Sequence, residues 1–338
     1  MIALALIALA TPRVDAVSLQ RVFAKGETFR YEVLAHIQEE SRWRGLETFL
    51  PEDFDFQYAF GGTVTELLGD GVAKIRYRRP TFTIVEGETY DHAPVTRVDK
   101  VNLDFLLSVS PANEILDLKD MTPPGKKPAK KTDDDDDALV LGRFALGPSR
   151  AQDPNLSAGL LRFLSQFIGE MHRLAVFAGG FEVALDFSPR LPLTPVVLGD
   201  TWKRTVSYQP QQLKGKEGEL AVQRLDITYR YDGFADWKGR KTHKVTGVID
   251  IKTDLAKFAN QLVDLDAEDT GLRRIPMTLH ATLETYLDPT TRKTLYAKTN
   301  SEGALSIYLT MYPNEPVEEI RLRGSSAMRL STPPSDGA

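Results

Sequence analysis

The amino-acid sequence predicts a mainly β protein of the α+β class, with two related antiparallel meander lobes, strongly bent sheets and one long amphipathic helix between the lobes. Three observations predict that fold class. Runs of alternating apolar and polar residues recur along the chain, a Gly-acid-Thr-aromatic motif occurs twice, and one stretch has helical periodicity instead. With 338 residues, 42% of them hydrophobic, the chain is long enough for two modest domains.

The repeated motif is Gly26-Glu27-Thr28-Phe29 near the start of the chain and Gly199-Asp200-Thr201-Trp202 in its second half. Both copies continue into the alternation that is typical of a half-buried strand. Two further pairs of segments keep the same order and a similar offset, namely 56–77 with 226–247 and 103–116 with 281–296. Three pairs of similar segments in the same order favour an internal duplication over chance.

The predicted domain organisation follows from changes in composition along the chain. Lysines cluster after Lys126 and five consecutive aspartates occupy Asp133–Asp137, a separation of charges that favours disorder. The predicted parts are a signal peptide (1–16), a first β lobe (17–120), a disordered Lys/Asp-rich linker (121–153), the amphipathic helix (154–180), a second β lobe (181–332) and a tail (333–338).

The signal peptide is predicted from the apolar run Ile2–Ala10, which precedes small or branched residues at Val14-Asp15-Ala16. It implies an extracytoplasmic protein, either periplasmic or secreted. The alternative interpretation is a buried first strand or helix. Nothing later in the chain has about 18 consecutive apolar residues, so we expect no membrane span in the mature chain.

Strands of the first lobe are predicted from period-two alternation. Phe29, Tyr31 and Val33 alternate with polar residues, and the run from Phe54 to Phe60 is the clearest example. Gly69-Asp70-Gly71 predicts a hairpin turn, because Asp and Gly tolerate positive φ. Further strands are expected to close the lobe, at 72–77, 82–84, 101–109 and 115–118.

The second lobe is predicted to be a meander with tight turns. Two long antiparallel strands are expected around Lys238-Gly239-Arg240, and Asp254–Leu265 is interpreted as a short helix. The turns Asp288-Pro289-Thr290-Thr291 and Asn300-Ser301-Glu302-Gly303 separate the strands that follow. The last strand is expected to end near Leu330.

The amphipathic helix carries the candidate ligand-binding residues. Asn155 or Ser157 supplies an N-cap and Gly179-Gly180 a helix end. Apolar residues at spacings of one, three and four form one broad face. Two interpretations stay open: this face covers a sheet as core, or it lines an apolar cavity. The candidate ligand-binding residues are Leu160, Leu164, Phe167, Ile168 and Met171.

Composition excludes several classes of protein. A formal net charge of −5 without a visible concentrated basic face argues against a general nucleic-acid-binding protein. The chain has no cysteine, which excludes disulfides, thiol nucleophiles, cysteine-ligated metals and a lipid-modified cysteine anchor.

A search for catalytic, cofactor and metal motifs finds none of the familiar patterns. The sequence lacks a Gly-x-Ser-x-Gly elbow, a Walker loop, a dinucleotide-binding Gly-x-Gly-x-x-Gly and a His-Glu-x-x-His motif. The alternating acids from Asp264 onward resemble a calcium loop, but Asp269 and Ile275 stand where Gly and Glu are required. We therefore expect no cofactor and no metal. The five histidines are too far apart in sequence for a local zinc site, and they are His36, His92, His172, His243 and His280.

Pairs of carboxylates remain as candidates for acid and base roles. Asp53 with Asp55, and Glu86 with Glu88, share one side of a strand if they lie in strands. Hydrolysis needs carboxyl groups opposed across a cleft, which spacing in sequence does not establish.

These features together resemble the curved-sheet lipoprotein carriers of the LolA/LolB kind. The resemblance rests on the export signal, the Gly-acid-Thr-aromatic strand, the helix, and the turn Tyr286-Leu287-Asp288-Pro289-Thr290-Thr291-Arg292-Lys293, and it is strongest over Thr278–Met311. It implies a bent antiparallel sheet that holds acyl chains beneath helices. The duplication and the Lys/Asp-rich linker depart from such single-lobe carriers, and no functional motif transfers.

The sequence thus predicts an exported, non-enzymatic binding protein that holds a lipid or other apolar ligand between sheet and helix. A second hypothesis is a structural or protein-interaction module of the cell envelope, with an envelope protein as partner. A third is a hydrolase with distant carboxylates. A cavity beside Leu164, Phe167 and Met171 would favour the first hypothesis, and a solid core with an exposed apolar patch the second.

Overall fold

The computed structural model describes residues 15–86, 95–121, 189–208, 223–263 and 271–331. The predicted signal peptide up to residue 14, nearly all of the Lys/Asp-rich linker, the amphipathic helix and the tail lie outside these residues.

Strands dominate the described part of the chain, as predicted. One short helix, α1 (Ala256–Val263), and a single 3₁₀ turn (Gly69–Gly71) accompany them in that part. The turn predicted at Asn300-Ser301-Glu302-Gly303 is wrong, because these residues lie inside one continuous strand, Thr294–Leu309. The strands in chain order are β1 (Thr28–Trp43), β2 (Leu50–Leu67), β3 (Ala73–Glu86), β4 (Val95–Val109), β5 (Ile115–Asp120), β6 (Thr201–Tyr208), β7 (Gln223–Trp237), β8 (Arg240–Asp254), β9 (Leu272–Arg274), β10 (Pro276–Leu287), β11 (Thr294–Leu309) and β12 (Glu318–Ser331).

The strands form one antiparallel sheet in the order β5-β4-β3-β2-β1-β12-β11-β10-β8-β7-β6, and β9 pairs with β11 beside this path. The described strands thus belong to one continuous sheet, and a division into two lobes is not supported. The two halves meet where β1 pairs with β12, continuously from Arg30 opposite Ser331 to Trp43 opposite Glu318. Since this ladder spans nearly the whole of both strands, the backbone hydrogen bonding does not stop between the halves.

The sheet curls so that its two edge strands approach each other at one end. Arg204 on edge strand β6 lies 3.9 Å from Glu114, directly before edge strand β5. The indole nitrogen of Trp202 donates a 2.7 Å hydrogen bond to the carbonyl of Arg190, and Arg190 donates to the carbonyl of Asn113 in the β4–β5 turn. The bend that the sequence predicts is thus present, in one open sheet.

One face of the sheet is buried and the other is exposed. We call the buried side the inner face and the opposite side the outer face. On β1 the exposed fraction is 4% for Tyr31 and 0% for Val33 and Ile37, whereas Leu34 on the outer face is 57% exposed. The alternation holds because successive side chains of a strand point to opposite faces.

The repeated Gly-acid-Thr motif has the same geometry in both copies. Gly26 and Gly199 have positive φ values of 81° and 87°, which glycine adopts without steric cost. The carboxylate of Glu27 accepts a 3.3 Å hydrogen bond from the backbone of Ala24, and that of Asp200 a 3.0 Å bond from Val197. In each copy the acid thus closes the turn before its strand.

Four turns use residues other than glycine in the left-handed conformation. Asp70 and Lys238 (φ 56° and 53°) lie in the β2–β3 and β7–β8 turns, and Asn113 and Arg292 (φ 61° and 60°) in the β4–β5 and β10–β11 turns. The first two turns lie at corresponding positions of the repeated segments 56–77 and 226–247, and the last two at corresponding positions of 103–116 and 281–296. The motif strands differ in position, however, because β1 is central and β6 is an edge. The duplication stays a prediction.

Helix α1 lies between β8 and β9, where the sequence predicts a short helix. Leu255, just before it, and Phe258 and Ala259 within it are buried, and the Leu255 backbone donates a 2.9 Å hydrogen bond to Ile275. No helix within the described ranges combines the length and apolar character needed to cross a bilayer.

Candidate functional site: the inner face and its strap

A row of aromatic rings crosses the inner face of the first four strands. The ring centroids of Tyr31 and Phe60 are 5.2 Å apart, those of Phe60 and Tyr77 are 5.3 Å apart, and those of Tyr77 and Phe105 are 6.1 Å apart. Each ring comes from a different strand. Since offset and tilted aromatic pairs attract at these separations, the row ties β1 to β4 across the sheet.

Small side chains occupy the middle of the inner face, and we call them the small-residue floor. Ala281 lies opposite Ser301, and Ser301 lies opposite Gly324. In the next inner row Ala35 lies opposite Ser326. These residues are buried although they are small. Their short side chains make the inner face lowest at its centre.

The segment 17–25, which we call the strap, crosses the end of the sheet where β1 begins. Val17 and Val196 exchange backbone hydrogen bonds of 2.8 and 3.0 Å. The backbone of Arg21 donates a 2.7 Å bond to Pro111, and that of Val22 a 2.9 Å bond to Thr291. The strap thereby joins three separate connections of the sheet, and we call this side the strap end.

An ionic cluster fastens the strap to the sheet. Glu27 accepts hydrogen bonds from the guanidinium of Arg21 and, over 2.6 Å, from the ammonium of Lys293. The side chains of Arg21 and Glu27 are only 6% and 11% exposed. Burial favours a raised pKa for Glu27, but the Lys293 hydrogen bond and the charges of Arg21 and Lys293 outweigh it, so that the pKa is lowered. Glu27 is therefore a buried anion between two cations.

A cavity of about 30 Å³ lies beneath the strap. Arg21 and Phe23 of the strap form one side, and Phe29, Tyr31 and Ile75 of the inner face form the other. The Tyr31 hydroxyl donates a 2.8 Å hydrogen bond to the carbonyl of Thr294, and burial raises the Tyr31 pKa. A space of this size holds about one water molecule. A ligand larger than water does not fit this space as it stands.

A concavity with a volume of about 750 Å³ lies on the outer face. Acidic and basic side chains line it. Arg321 lies 3.7 Å from Glu40, and the imidazole of His280 lies 2.6 Å from Asp250. No group of three metal-ligating side chains occurs within the described ranges. Five acidic side chains and two arginines line this trough. We place the candidate site on the inner face because apolar surface is concentrated there.

The sequence-predicted site residues Leu160, Leu164, Phe167, Ile168 and Met171 all lie outside the described residues. Their position relative to the small-residue floor stays a prediction. Of the candidate carboxylates, Asp53 and Asp55 lie on β2, and Asp55 is within 2.8 Å of His36. Glu88 lies outside the described residues.

Sequence analysis missed the Arg21–Glu27–Lys293 cluster. Arg21 and Lys293 lie at opposite ends of the chain, and neither stands in a pattern that points to the other. Glu27 could have been singled out by its place in the repeated motif, where an acid follows a glycine. That glycine has a positive φ in both copies.

His243 is the described histidine that burial affects most clearly. It is 1% exposed, and its Nδ1 lies 2.8 Å from the hydroxyl of Tyr231. Burial and the positive charge of Arg292 lower the pKa of His243 to about 4. The folded protein therefore keeps this imidazole neutral under mildly acidic conditions.

We expect the free energy of unfolding to fall as the pH drops from the ordinary histidine value of 6.5 toward about 4. In that window the unfolded chain binds a proton that buried His243 does not take up. The full loss is about 3 kcal/mol at about 1.4 kcal/mol per pH unit. Urea denaturation across the window should show a weaker pH dependence for His243→Gln. Equal slopes for the two proteins would contradict the assignment.

Comparison with known proteins gives structural matches of low similarity. No protein-family model matches the chain, and no curated protein matches it. A solved structure that concerns lipid–protein interactions in lipovitellin matches 94% of this chain with a TM-score of 0.41 and 11% identity, and the match spans 26% of the lipovitellin chain.

Two further solved structures match about nine tenths of this chain. A putative outer membrane lipoprotein-sorting protein domain from Vibrio parahaemolyticus has a TM-score of 0.15 and 8% identity, with 90% of this chain and 87% of that one covered. A DUF1329 family protein from Desulfovibrio piger has a TM-score of 0.14 and 7% identity, with 90% and 88% covered. At these scores the resemblance to lipoprotein carriers is weak, and none of the matches bears on a duplication.

Proposed function

We propose that this protein is a non-enzymatic binding protein that holds a lipid or other apolar ligand against the inner face of its sheet. The observation that supports this proposal is the inner face itself. It forms one continuous apolar surface on a single open sheet, with the small-residue floor at its centre and bulky residues around it. Such a surface favours an apolar occupant, because burying apolar area contributes about 25 cal/mol per Å².

The predicted helix completes this proposal. Its residues Leu160, Leu164, Phe167, Ile168 and Met171 would cover the floor or share it with the ligand, as the helical periodicity of that stretch suggests. The protein would work outside the cytoplasm after removal of residues 1–16. A structural or interaction module of the cell envelope is the second candidate, and in that case the chain alone fills the interior.

Native mass spectrometry of gently purified protein, before and after organic extraction, tests the proposal. We expect an extractable lipid in stoichiometric amount. Ala281→Leu adds bulk to the floor and should lower the bound fraction several-fold. Thr282→Leu is the matched control, because this exposed neighbour on the same strand points to the outer face, and it should retain the lipid.

Circular dichroism should show that both variants remain folded. A lipid-free mass for the wild-type protein would contradict the proposal and favour the structural module. Loss of lipid in both variants alike would show that the ligand does not lie on the inner face. Phe167→Asp extends the test to the predicted helix, where the bound fraction should also fall.

A further inference from the structure

Four large apolar side chains on the strap, the 193–198 segment and β7 are more than half exposed. They are Val22 (59% exposed), Leu193 (61%), Leu198 (72%) and Phe234 (52%). Single exposed apolar residues are common on protein surfaces, so their meaning depends on whether they lie together.

Direct contacts connect the segments that carry these four residues. Gln20 of the strap donates a 2.9 Å hydrogen bond to the carbonyl of Leu193. A methyl group of Leu198 lies 3.0 Å from the place where a Cβ on Gly233 would stand, directly beside Phe234. We call the four residues the apolar rim. They belong to one surface, because the strap, the 193–198 segment and β7 touch one another there.

The β7–β8 turn places positive charge beside the rim. Lys238, Arg240 and Lys241 are exposed, and the ammonium of Lys241 lies 3.9 Å from the centroid of the Phe234 ring. We call these three residues the basic tip. Trp237, in the same turn, has the ammonium of Lys238 5.2 Å from its ring.

The neighbouring acids are engaged within their own turns. Asp236 accepts a 3.0 Å hydrogen bond from the backbone of Gly239. Asp288 accepts bonds of 3.0 and 2.8 Å from the backbones of Thr290 and Thr291 and lies 3.7 Å from Arg240. Lys238 and Lys241 therefore present positive charge at this surface, on a chain whose net charge is −5.

We propose that the apolar rim and the basic tip together dock on the anionic surface of a lipid bilayer. Aromatic and aliphatic side chains insert at the interface while lysine and arginine bind the headgroups. The charge separation also orients the protein, because an anionic surface repels the rest of an acidic chain and attracts the tip. Docking would bring the strap end, with the cavity beneath it, against the membrane.

This inference uses different residues from the proposed function and is tested separately. Co-sedimentation with phosphatidylcholine vesicles, with and without phosphatidylglycerol, measures binding of the full chain. We expect binding that requires phosphatidylglycerol and weakens with salt. Lys238→Glu and Lys241→Glu should each lower the affinity about fivefold or more, as expected when one interfacial base is lost. Leu198→Asp combined with Phe234→Asp should lower it at least about tenfold.

Two control variants keep the test specific. Lys252→Glu reverses an exposed base at the other end of β8, and Leu34→Asp replaces a 57% exposed leucine on the outer face. Both should bind anionic vesicles as the wild-type protein does. Absence of vesicle binding, or equal losses in control and surface variants, would overturn the proposal. Concentration-dependent self-association that Leu198→Asp abolishes, without vesicle binding, would assign the surface to a protein partner and overturn it as well.

Discussion

Phe60→Ala is expected to lower the free energy of unfolding by about 3–5 kcal/mol, the range for removing a large aromatic side chain from a core. Phe60 is 1% exposed, and its ring packs between those of Tyr31 and Tyr77. Its loss leaves a cavity at the centre of the aromatic row, so the rings on either side lose a common neighbour. Urea denaturation followed by circular dichroism measures the change.

The same experiment tests the continuity of the sheet. One sheet across β1 and β12 predicts a single cooperative transition that Phe60→Ala shifts as a whole, with the same midpoint by every probe. Phe234→Ala is the control, since this phenylalanine is 52% exposed and should cost about 0.5 kcal/mol or less. Two separate transitions, with only one shifted, would show that the halves of the chain fold independently.

Local features of the fold were predictable because short stretches of sequence determine them. Alternation from Phe54 to Phe60 identified β2, and the Gly69-Asp70-Gly71 turn was found where the chain reverses. A two-residue period and a positive φ are properties of neighbouring residues. The motif at Gly26 and Gly199 was equally readable, because its glycine and acid act on the adjacent turn.

The joining of the two halves was not predictable in this way. Pairing of β1 with β12 connects residues from opposite ends of the chain, and strand pairing over that separation leaves no mark in either strand alone. The repeats suggested two lobes. Two strands that would be the edges of separate sheets can, however, satisfy their backbone hydrogen-bonding groups by pairing with each other in one sheet. The candidate site could not be predicted for the same reason, because the small-residue floor combines alanine, serine and glycine from different strands.

Glu27→Gln should lower the free energy of unfolding by about 3 kcal/mol, the lower end of the range for breaking a buried ion pair. The substitution keeps the shape of the side chain but leaves Arg21 and Lys293 close together without an anion. The unpaired charge of Arg21 should destabilise the folded state more than that of Lys293, because the side chain of Arg21 is 6% exposed and that of Lys293 is 20% exposed. Urea denaturation at neutral pH gives the comparison.

A matched control is Glu66→Gln, which removes a 2.7 Å ion pair with Lys74 in which Glu66 is 52% exposed. An exposed ion pair contributes little to stability, so this variant should be nearly as stable as the wild-type protein. Equal losses for the two variants would contradict a special role for the buried cluster.

The pH dependence of Glu27→Gln provides a second, independent result. Because the folded-state pKa of Glu27 lies below its ordinary value of 4.5, its contribution to stability is complete above that value and is lost as the pH falls through the folded-state pKa. Wild-type protein and Glu27→Gln should therefore converge in stability under acid conditions. Because Glu27 fastens the strap, hydrogen exchange at the backbone amides of Arg21 and Val22 should accelerate in the variant at neutral pH. Unchanged exchange there would show that the backbone hydrogen bonds to Pro111 and Thr291 hold the strap without the ionic cluster.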